Sequence, residues 1–279
     1  MDERPIGVFD SGIGGLTVVR EMLQRLPDEE ILYLGDTARV PYGPRGAATI
    51  TRFALELARF LCHRDVKALV VACNSMSACA VQAIRSAAPV PVVDVIDPTV
   101  REAAGASRSG EIAVIGTVAT ITSGVYERLL AQLRPEARLV GVPCPLFVPI
   151  AEEGLTHHPV ARLMAEEYLS GLRGTAVDTL ILGCTHYPLL KSVLAETLGP
   201  AVALIDSAEP TVRALNHLLD REGLRAPERV REPQHRFCVT DASYKFMEIA
   251  NRILGGDFSR CVEQVCVEHP VEPLTGRSA

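Results

Sequence analysis

Short apolar runs recur along the chain, and a turn and a helical pattern of apolar positions follow most of them. In the first half these runs occupy residues 6–9, 31–34, 68–72 and 92–96. The first run leads into a helix predicted over residues 16–26, and the third into a helix predicted to end at Ala87. Alternation of this kind is typical of parallel sheets flanked by helices.

The second half of the chain repeats this plan. Its apolar runs occupy residues 112–115, 139–142 and 179–183, with helices predicted over 126–133 and 189–198. The offsets between matching positions are similar: Ile6 to Ile112 is 112 − 6 = 106, Leu32 to Leu139 is 139 − 32 = 107, and Cys73 to Cys184 is 184 − 73 = 111. We interpret this as a duplicated α/β unit, with chance matching of short apolar runs as the alternative.

The end of the chain has no partner in the repeat. A helix is predicted over residues 210–222, a strand over 237–240, a helix over 242–254 and a strand over 262–267. We expect this segment to return to the first domain and complete its sheet. The prediction is an α/β fold with two pseudo-symmetric three-layer domains, whose mostly parallel sheets face a central cleft. The predicted first domain is 1–97 plus 208–267, the second is 98–207, and 268–279 is a flexible tail.

Composition and charge exclude several classes of protein. The chain has 279 residues and a formal net charge of −6, and it lacks a long basic block, so nucleic-acid binding has no electrostatic support. The first ten residues are charged before they become apolar, unlike a signal peptide. Apolar runs stay well short of a membrane span. We therefore expect a soluble, cytoplasmic protein that binds neither nucleic acid nor membrane.

The eight cysteines do not suggest a disulfide framework or a metal site. An even count could mean disulfides in a short secreted chain, but this chain is neither short nor evidently secreted, so reduced thiols are expected. Cys-x-x-Cys pairs are lacking, and His157 and His158 have no cysteine at zinc spacing, so we predict no metal. Cys62, Cys79, Cys238, Cys261 and Cys266 are interpreted as buried small apolar residues.

Polar residues that could bind a ligand or take part in catalysis cluster where the predicted strands end. These positions are Asp10 and Ser11, Asp36, Cys73 to Ser75, Thr117, and Cys184 to His186. Ligands of open parallel sheets bind at the carboxyl ends of the strands. Two cysteines stand at equivalent strand ends of two equivalent units, so facing domains would point both sulfurs into one cleft.

Two opposed cysteines suit symmetric acid/base chemistry at an amino-acid Cα. A thiolate is a good base, and a thiol is an acid with a pKa of about 8.5. One of each on opposite faces of a carbon could remove a proton and return another from the far side, and the reverse reaction would exchange their roles. Each sulfur precedes a predicted helix, whose dipole should favour the thiolate.

Other interpretations of these residues remain open. Asp10 could be an ordinary helix cap, or it could hold a substrate ammonium or tune a nearby cysteine. His186 could be a satisfied polar residue or a proton partner of Cys184. A pyridoxal-phosphate enzyme would need a Schiff-base lysine, and Lys67, Lys191 and Lys245 lie away from the predicted cleft, so no cofactor is expected.

Four motifs in order carry a family resemblance that covers nearly the whole chain, from Pro5 to about Val267. They are FDSGIGGL at residues 9–16, GDTARVPYG at 35–43, ACN at 72–74 and GCTHYP at 183–188. Together they resemble the glutamate racemases, cofactor-independent enzymes of bacterial cell-wall peptidoglycan synthesis. The resemblance implies interconversion of L- and D-glutamate by two facing α/β domains, often assembled as a homodimer.

The resemblance also implies roles for individual residues. Cys73 and Cys184 would be the catalytic thiols, with Cys73 acting on D-glutamate and Cys184 on L-glutamate. Asp10 and His186 would assist proton transfer, with Glu152 as a further candidate. The implied substrate contacts are Asp10, Ser11, Tyr42, Gly43, Asn74, Ser75, Thr185 and His186, with Thr117 and Thr120 as candidates for the side-chain carboxylate. The family usually has Thr-Ala after Cys-Asn, where this chain has Ser75 and Met76; the serine keeps a hydroxyl for the α-carboxylate, but Met76 adds bulk.

Three other functions are alternatives to glutamate racemisation. An aspartate or hydantoin racemase would use the same paired thiols. A Cys-His hydrolase could use Cys184 and His186, but it leaves Cys73 unexplained. A non-catalytic amino-acid-binding module would bind ligand without exchanging its Cα hydrogen.

Overall fold

The computed structural model describes residues 1–228, 233–242, 244–256 and 262–267. The strands are β1 (Ile6–Asp10), β2 (Ile31–Gly35), β3 (Ala68–Val71), β4 (Val92–Asp94), β5 (Glu111–Gly116), β6 (Arg138–Pro143), β7 (Thr179–Gly183), β8 (Ala203–Ile205), β9 (Arg236–Val239) and β10 (Val262–Gln264). The helices are α1 (Leu16–Arg25), α2 (Ala47–His63), α3 (Asn74–Ala87), α4 (Asp97–Ala106), α5 (Val118–Thr122), α6 (Val125–Leu133), α7 (Phe147–Glu152), α8 (Pro159–Leu169), α9 (Lys191–Leu198), α10 (Ala208–Arg221) and α11 (Tyr244–Leu254). Short 3₁₀ helices span Thr37–Arg39, Ser170–Leu172 and Tyr187–Leu190.

Two parallel sheets form the framework. The first has the strand order β10-β9-β2-β1-β3-β4 and the second has β6-β5-β7-β8. The order β2-β1-β3-β4 in the first sheet corresponds strand for strand to the second, and β3 therefore corresponds to β7. The predicted duplicated α/β fold with parallel sheets is confirmed.

The central strands of the two sheets are buried along their whole length because helices cover both faces there. All five residues of β1 and of β7 are buried. In β1, Val8 and Phe9 point to opposite faces and join different hydrophobic clusters. Continuous apolar strands of this kind are expected where helices cover a parallel sheet on both sides.

Three buried hydrophobic clusters hold these layers together. One lies between the first sheet and helices α2 and α3, and another between the second sheet and helices α7, α8 and α9. The third, which we call the central cluster, contains Val8 and Val70 of the first sheet together with Val114 and Ile181 of the second. The two sheets therefore share part of their core.

The segment after α10 returns to the first sheet, as predicted. Strand β9 pairs with β2, and β10 pairs with β9 at the sheet edge. Strands β1 to β4, β9 and β10 fall in the proposed first domain and β5 to β8 in the second. The domain boundaries themselves stay a prediction, and the predicted tail, 268–279, lies outside the described residues.

Three predicted elements differ from the structure. The helix predicted over 189–198 starts as the 3₁₀ helix Tyr187–Leu190, and α9 begins only at Lys191. The strand predicted over 92–96 stops at Asp94, whose carboxylate accepts the N–H groups of Ile96 and Asp97 and so starts α4. The strand predicted over 262–267 ends at Gln264.

Several helices were not predicted from the sequence. The longest, α2 (Ala47–His63), buries Ile50, Leu57 and Leu61 on one face, and this spacing is a helical signal that was available in the sequence. Helix α8 (Pro159–Leu169) buries only three residues and gives a weaker pattern. Among the helices that the structure describes, none is long and apolar enough to cross a membrane.

The predicted burial of the cysteines outside the strand ends is only partly confirmed. Cys238 is buried, as predicted, whereas Cys62 and Cys79 are half-buried. The prediction is wrong for Cys266, which is exposed beyond the end of the edge strand β10. Cys261 lies outside the described residues. All cysteines in the described part of the chain are free thiols.

Candidate active site

A cavity of about 400 Å³ lies where the carboxyl ends of strands from both sheets meet. Its walls include Cys73, which follows β3, and Cys184, which follows β7. The other predicted site residues in the wall are Ser11, Tyr42, Gly43, Asn74, Ser75, Thr117, Glu152, Thr185 and His186. Both cysteines are almost fully buried, at 5% and 7% exposure. The two sulfurs are thus placed by equivalent strands around a single cavity.

Cys73 lies at the start of α3, in the extended conformation that precedes a helix. Its Sγ donates a hydrogen bond to Ser11 Oγ at 3.4 Å. Burial and the nearby negative charge of Asp10 raise the pKa of the Cys73 thiol to about 12. The backbone N–H of Met76 at the start of α3 does favour the thiolate, as expected of a helix N-terminus, but desolvation opposes the charged form more strongly.

Cys184 belongs to a chain of three side chains that runs from the cavity toward the surface. Its Sγ lies 3.8 Å from Nδ1 of His186, and Nε2 of His186 lies 3.1 Å from Oε1 of Glu152. The helix expected directly after Cys184 is a short 3₁₀ turn, so an imidazole takes the place of a long helix dipole as the nearest source of positive charge.

The imidazole of His186 is held in its protonated form. Burial lowers the pKa of His186, but hydrogen bonds to Cys184 and Glu152, together with the charges on those groups, raise it to about 10. Burial raises the pKa of Glu152, but the contact with His186 outweighs it and the pKa lies below its usual value. An imidazolium beside a sulfur stabilises negative charge on that sulfur.

Asp10 lies behind the wall of the cavity, at 1% exposure. Its Oδ2 accepts the N–H groups of Gly12 at 3.2 Å and Gly15 at 2.9 Å, so it does cap the loop that starts α1. Burial raises its pKa, although these backbone hydrogen bonds oppose the shift. Asp10 thus caps the loop and not the helix itself, since α1 has no side-chain cap, and its charge adds to burial in raising the pKa of Cys73; a contact with a substrate ammonium stays a prediction.

Three hydroxyl groups meet at another part of the wall. Ser75 Oγ lies 2.9 Å from Thr117 Oγ1, and Thr120 Oγ1 lies 3.0 Å from the same atom. Thr120 is fully buried behind the other two and does not line the cavity. Gly43 packs so closely here that a Cβ on it would lie 3.0 Å from Cβ of Thr117. Hydroxyl pairs with exchangeable donors are suited to binding a carboxylate.

Tyr42 lines the cavity with its ring while its hydroxyl is engaged elsewhere. The hydroxyl donates a short hydrogen bond to Asp36, which is fully buried. Asp36 also accepts from Arg39 Nε at 2.7 Å and from Thr240 Oγ1 at 2.9 Å. Sequence reasoning placed Asp36 at a strand end, and the structure shows that it anchors the loop after β2.

The apolar part of the cavity wall was missed by sequence reasoning. It consists of Val40, Pro41, Pro44, Val118, Pro145, Val148 and Pro149. These residues lie in loops and at helix starts, and the available signal was the density of proline around the predicted strand ends. Met76, the residue that departs from the family pattern, is fully buried in the core on the α2 and α3 side.

The lysines of the chain are all paired with carboxylates, and none lines the cavity. Lys67 is buried with Glu29 at a distance of 2.5 Å, and Lys191 and Lys245 pair with Asp206 and Glu153. Among the described residues there is also no cluster of His, Cys, Asp and Glu that could hold a metal ion. The chemistry available in the cavity wall is therefore that of two sulfurs, an imidazolium, carboxylates and hydroxyls.

Comparison with known proteins agrees with this arrangement. The family model for Asp/Glu/Hydantoin racemases matches residues 6–215. A glutamate racemase from Geobacter metallireducens is 50% identical over 268 residues, covering 96% of this chain and 98% of that protein. The crystal structure of glutamate racemase from Francisella tularensis in complex with D-glutamate superimposes with a TM-score of 0.90 at 39% identity, covering 96% of this chain and 99% of that one.

A second solved structure gives the same result. The glutamate racemase isoform RacE1 from Bacillus anthracis matches with a TM-score of 0.91 at 40% identity, over 95% of this chain and 98% of that one. Matches of this extent and identity leave no large part of the described fold without a counterpart. The chain therefore belongs to the Asp/Glu/hydantoin racemase family and, within it, to the glutamate racemases.

Proposed function

We propose that this protein interconverts L-glutamate and D-glutamate by a two-thiol mechanism that needs no cofactor. The observation that carries the proposal is that Cys73 and Cys184, from equivalent strand ends, line one cavity. The relatives at 50% identity and the solved neighbours are named glutamate racemases, which supports glutamate as the substrate.

The reaction is a proton removal and a proton return on opposite faces of one carbon. The Cys184 sulfur, as the thiolate beside the His186 imidazolium, takes the proton from Cα and becomes a thiol. The electron pair left on Cα then takes the proton of the Cys73 thiol from the other face, and Cys73 becomes a thiolate. Atoms and charge balance, because one proton enters and one leaves the carbon.

The protonation states of the two cysteines exchange in each turnover and must be reset. The raised pKa of Cys73 fits a thiol that donates a proton, and the position of His186, 3.8 Å from the Cys184 sulfur, fits a group that stabilises negative charge on a sulfur that accepts one. In the opposite direction Asp10 would assist deprotonation of Cys73 and His186 would supply the proton to Cys184. Glu152 orients His186 through its Nε2.

The remaining wall residues would bind the substrate. We propose that the glutamate carboxylates are bound by hydrogen-bond donors at the starts of the helices and by hydroxyl groups, supplied by Asn74, Ser75, Thr117 and Thr185. Thr120 would hold the Thr117 hydroxyl in place from outside the cavity. Ser11, Tyr42 and Gly43 complete the wall on the side of the first sheet, Tyr42 by its ring and backbone because its hydroxyl is bonded to Asp36.

Three further expectations extend this function. We expect the enzyme to be cytoplasmic, and we expect its D-glutamate to be used in peptidoglycan synthesis. A homodimer stays a prediction from the family resemblance.

The activity is tested by circular dichroism of L-glutamate with purified protein and no added cofactor. The proposal predicts decay of the signal to zero, as the racemic mixture forms, and little change with L-aspartate. Loss of signal with L-aspartate and not with L-glutamate would favour the alternative, an aspartate-type racemase. Release of ammonia from glutamine would favour a hydrolase.

The two-thiol mechanism is tested by replacing each cysteine separately. Cys73→Ser and Cys184→Ser should each reduce racemisation in both directions by at least about 10³-fold, because a serine hydroxyl is a far weaker acid than a thiol. In Cys73→Ser, one-sided elimination from a β-substituted substrate should persist through Cys184. Normal racemisation by either single variant would rule the mechanism out.

A further inference from the structure

Tyr126 lies outside the cavity wall but touches the segments that carry both cysteines. It is located near the start of α6 and is 1% exposed. Its hydroxyl accepts a hydrogen bond of 2.9 Å from Nδ2 of Asn74, the residue directly after Cys73. The same oxygen lies against Gly183, the residue directly before Cys184: a Cβ built on Gly183 would be 3.2 Å away from it.

Asn74 has a second partner at the crossover between the sheets. Its Nδ2 also donates to Ser207 Oγ at 3.4 Å, and Ser207, at 2% exposure, directly precedes α10, the helix that returns the chain to the first sheet. Both amide protons of this side chain therefore have acceptors from elements outside α3. A hydrogen-bonded amide in a buried site has few alternative orientations.

We propose that Tyr126, together with Ser207, is a positioning residue that fixes the two cysteine-bearing strand ends relative to each other. This inference rests on the proposed two-thiol racemisation. The physical reason is that the tyrosine hydroxyl is hydrogen-bonded to Asn74 at one strand end and fills the space beside Gly183 at the other, where a side chain would meet it. The connection bridges the two sheets directly behind the sulfurs.

The spacing of the sulfurs decides the stereochemical outcome of proton transfer. When both sulfurs flank the carbon closely, a proton removed on one face is replaced from the other, and inversion results. When the second sulfur is displaced, the carbanion lives longer beside the first sulfur, so the hydrogen now on that sulfur has time to exchange with solvent, at Cys184 through His186 and Glu152, before it returns to the same face. Retention with exchange then increases relative to inversion, because a small displacement strongly weakens proton transfer.

The experiment measures deuterium incorporation into both enantiomers of glutamate in heavy water. For the unaltered protein, deuterium should enter the product enantiomer first, and little should enter the recovered substrate at low conversion. In Tyr126→Phe the ratio of deuterium in recovered substrate to deuterium in product should rise about fivefold, the factor that loss of one typical hydrogen bond produces. Ser207→Ala should shift the ratio in the same direction by less, since its contact is longer.

Tyr187→Phe is the matched control. It also removes one buried tyrosine hydroxyl, which donates to the carbonyl of Cys144 at 2.7 Å and does not contact Asn74. Its deuterium ratio should equal that of the unaltered protein even where its melting temperature falls. General destabilisation would lower exchange and inversion together and leave the ratio constant.

The outcomes separate this inference from the proposed function. An unchanged ratio in a folded Tyr126→Phe protein that still racemises overturns the positioning role alone. If Tyr126→Phe does not fold, an unchanged ratio in Ser207→Ala overturns it. An unaltered protein that neither racemises glutamate nor exchanges its Cα hydrogen overturns the proposed function, and this inference with it.

Discussion

At the scale of single residues, the two sulfurs have different charged neighbours. Burial and the charge of Asp10 both oppose ionisation of Cys73. At Cys184, by contrast, the sulfur faces an imidazolium whose own charge is maintained by Glu152. The two halves of a duplicated fold thus surround the same amino acid with a carboxylate on one side and an imidazole on the other.

The protonation of His186 should make the stability of the protein dependent on pH. Its folded-state pKa of about 10 lies above the ordinary value of 6.5, so this proton stabilises the folded state fully below about pH 6.5 and no longer does so above about pH 10. The difference in free energy of unfolding between the unaltered protein and His186→Asn should therefore shrink as pH rises through this window. Urea titrations at several pH values measure this difference in free energy. A difference that stays constant or grows as pH rises would contradict the raised pKa of His186.

The charge of Asp10 should control the reactivity of Cys73. Replacing Asp10 with asparagine keeps an oxygen that can accept from Gly12 and Gly15, but removes the charge that raises the pKa of Cys73. At mildly alkaline pH, iodoacetamide should then alkylate Cys73 several-fold faster, because burial still raises the pKa of the thiol but the charge of Asp10 no longer adds to the shift. Mass spectrometry of the Cys73 peptide reports the rate, with Cys62 as the internal reference; a slower reaction at Cys73 would refute the charge effect.

At the scale of elements, the site depends on the close approach of the loop after β1, and the first turn of α1, to the loop after β7. The loop after β1 lies against the loop after β7, and Thr17 Oγ1 donates to the carbonyl of Thr185 at 3.2 Å. Gly14 is at the closest point: a Cβ there would lie 2.3 Å from Thr185 Oγ1 and 2.6 Å from His186 Nδ1. The glycine is required by this approach and not by an unusual backbone angle.

Gly14→Ala should therefore damage activity more than stability. The added methyl group must push Thr185 or His186 away from Cys184, and a displacement of this size at a catalytic group reduces kcat by about 10²-fold. Gly105→Ala is the control, because nothing lies within 4 Å of its new methyl group on α4. Steady-state kinetics and thermal melting of both variants measure the effect, and a fully active Gly14→Ala protein would show that the loops can separate at no cost.

At the scale of the whole molecule, the central cluster joins the two sheets into one core. It contains apolar residues from both sheets and from helices α1, α4, α6, α10 and α11. Neither proposed domain can unfold alone without exposing apolar residues of the other, because the central cluster is built from both. The polar contact of Asn74 with Tyr126 and Ser207 lies at the same junction.

Unfolding should consequently be a single cooperative transition. Calorimetry is expected to give one endotherm whose calorimetric and van't Hoff enthalpies agree. D-Glutamate at about 100 times its Kd should stabilise the folded protein by about 2.7 kcal/mol and shift this single transition upward. Two separate endotherms, of which only one responds to glutamate, would mean that the halves unfold independently.

The sequence by itself determined the fold class, the duplication and the residues at the strand ends. Apolar runs of strand length reflect burial on both faces of a parallel sheet, and this constraint is strongest on the central strands, such as β1 and β7. The resemblance to glutamate racemases then supplied candidate roles, and Cys73, Cys184, His186 and Glu152 all line one cavity. These features depend on short or repeated stretches of sequence, so they can be recognised without a structure.

Only the tertiary structure decided the charge states and the supporting contacts. The raised pKa of Cys73 follows from its burial beside Asp10, 63 positions earlier (73 − 10), and no local pattern encodes such a distance. The apolar wall of the cavity and the contact of Tyr126 with Asn74 and Gly183 join segments that are remote in the chain. Desolvation and close approach depend on what lies nearby in space, and in this protein the decisive neighbours come from different segments and from both sheets.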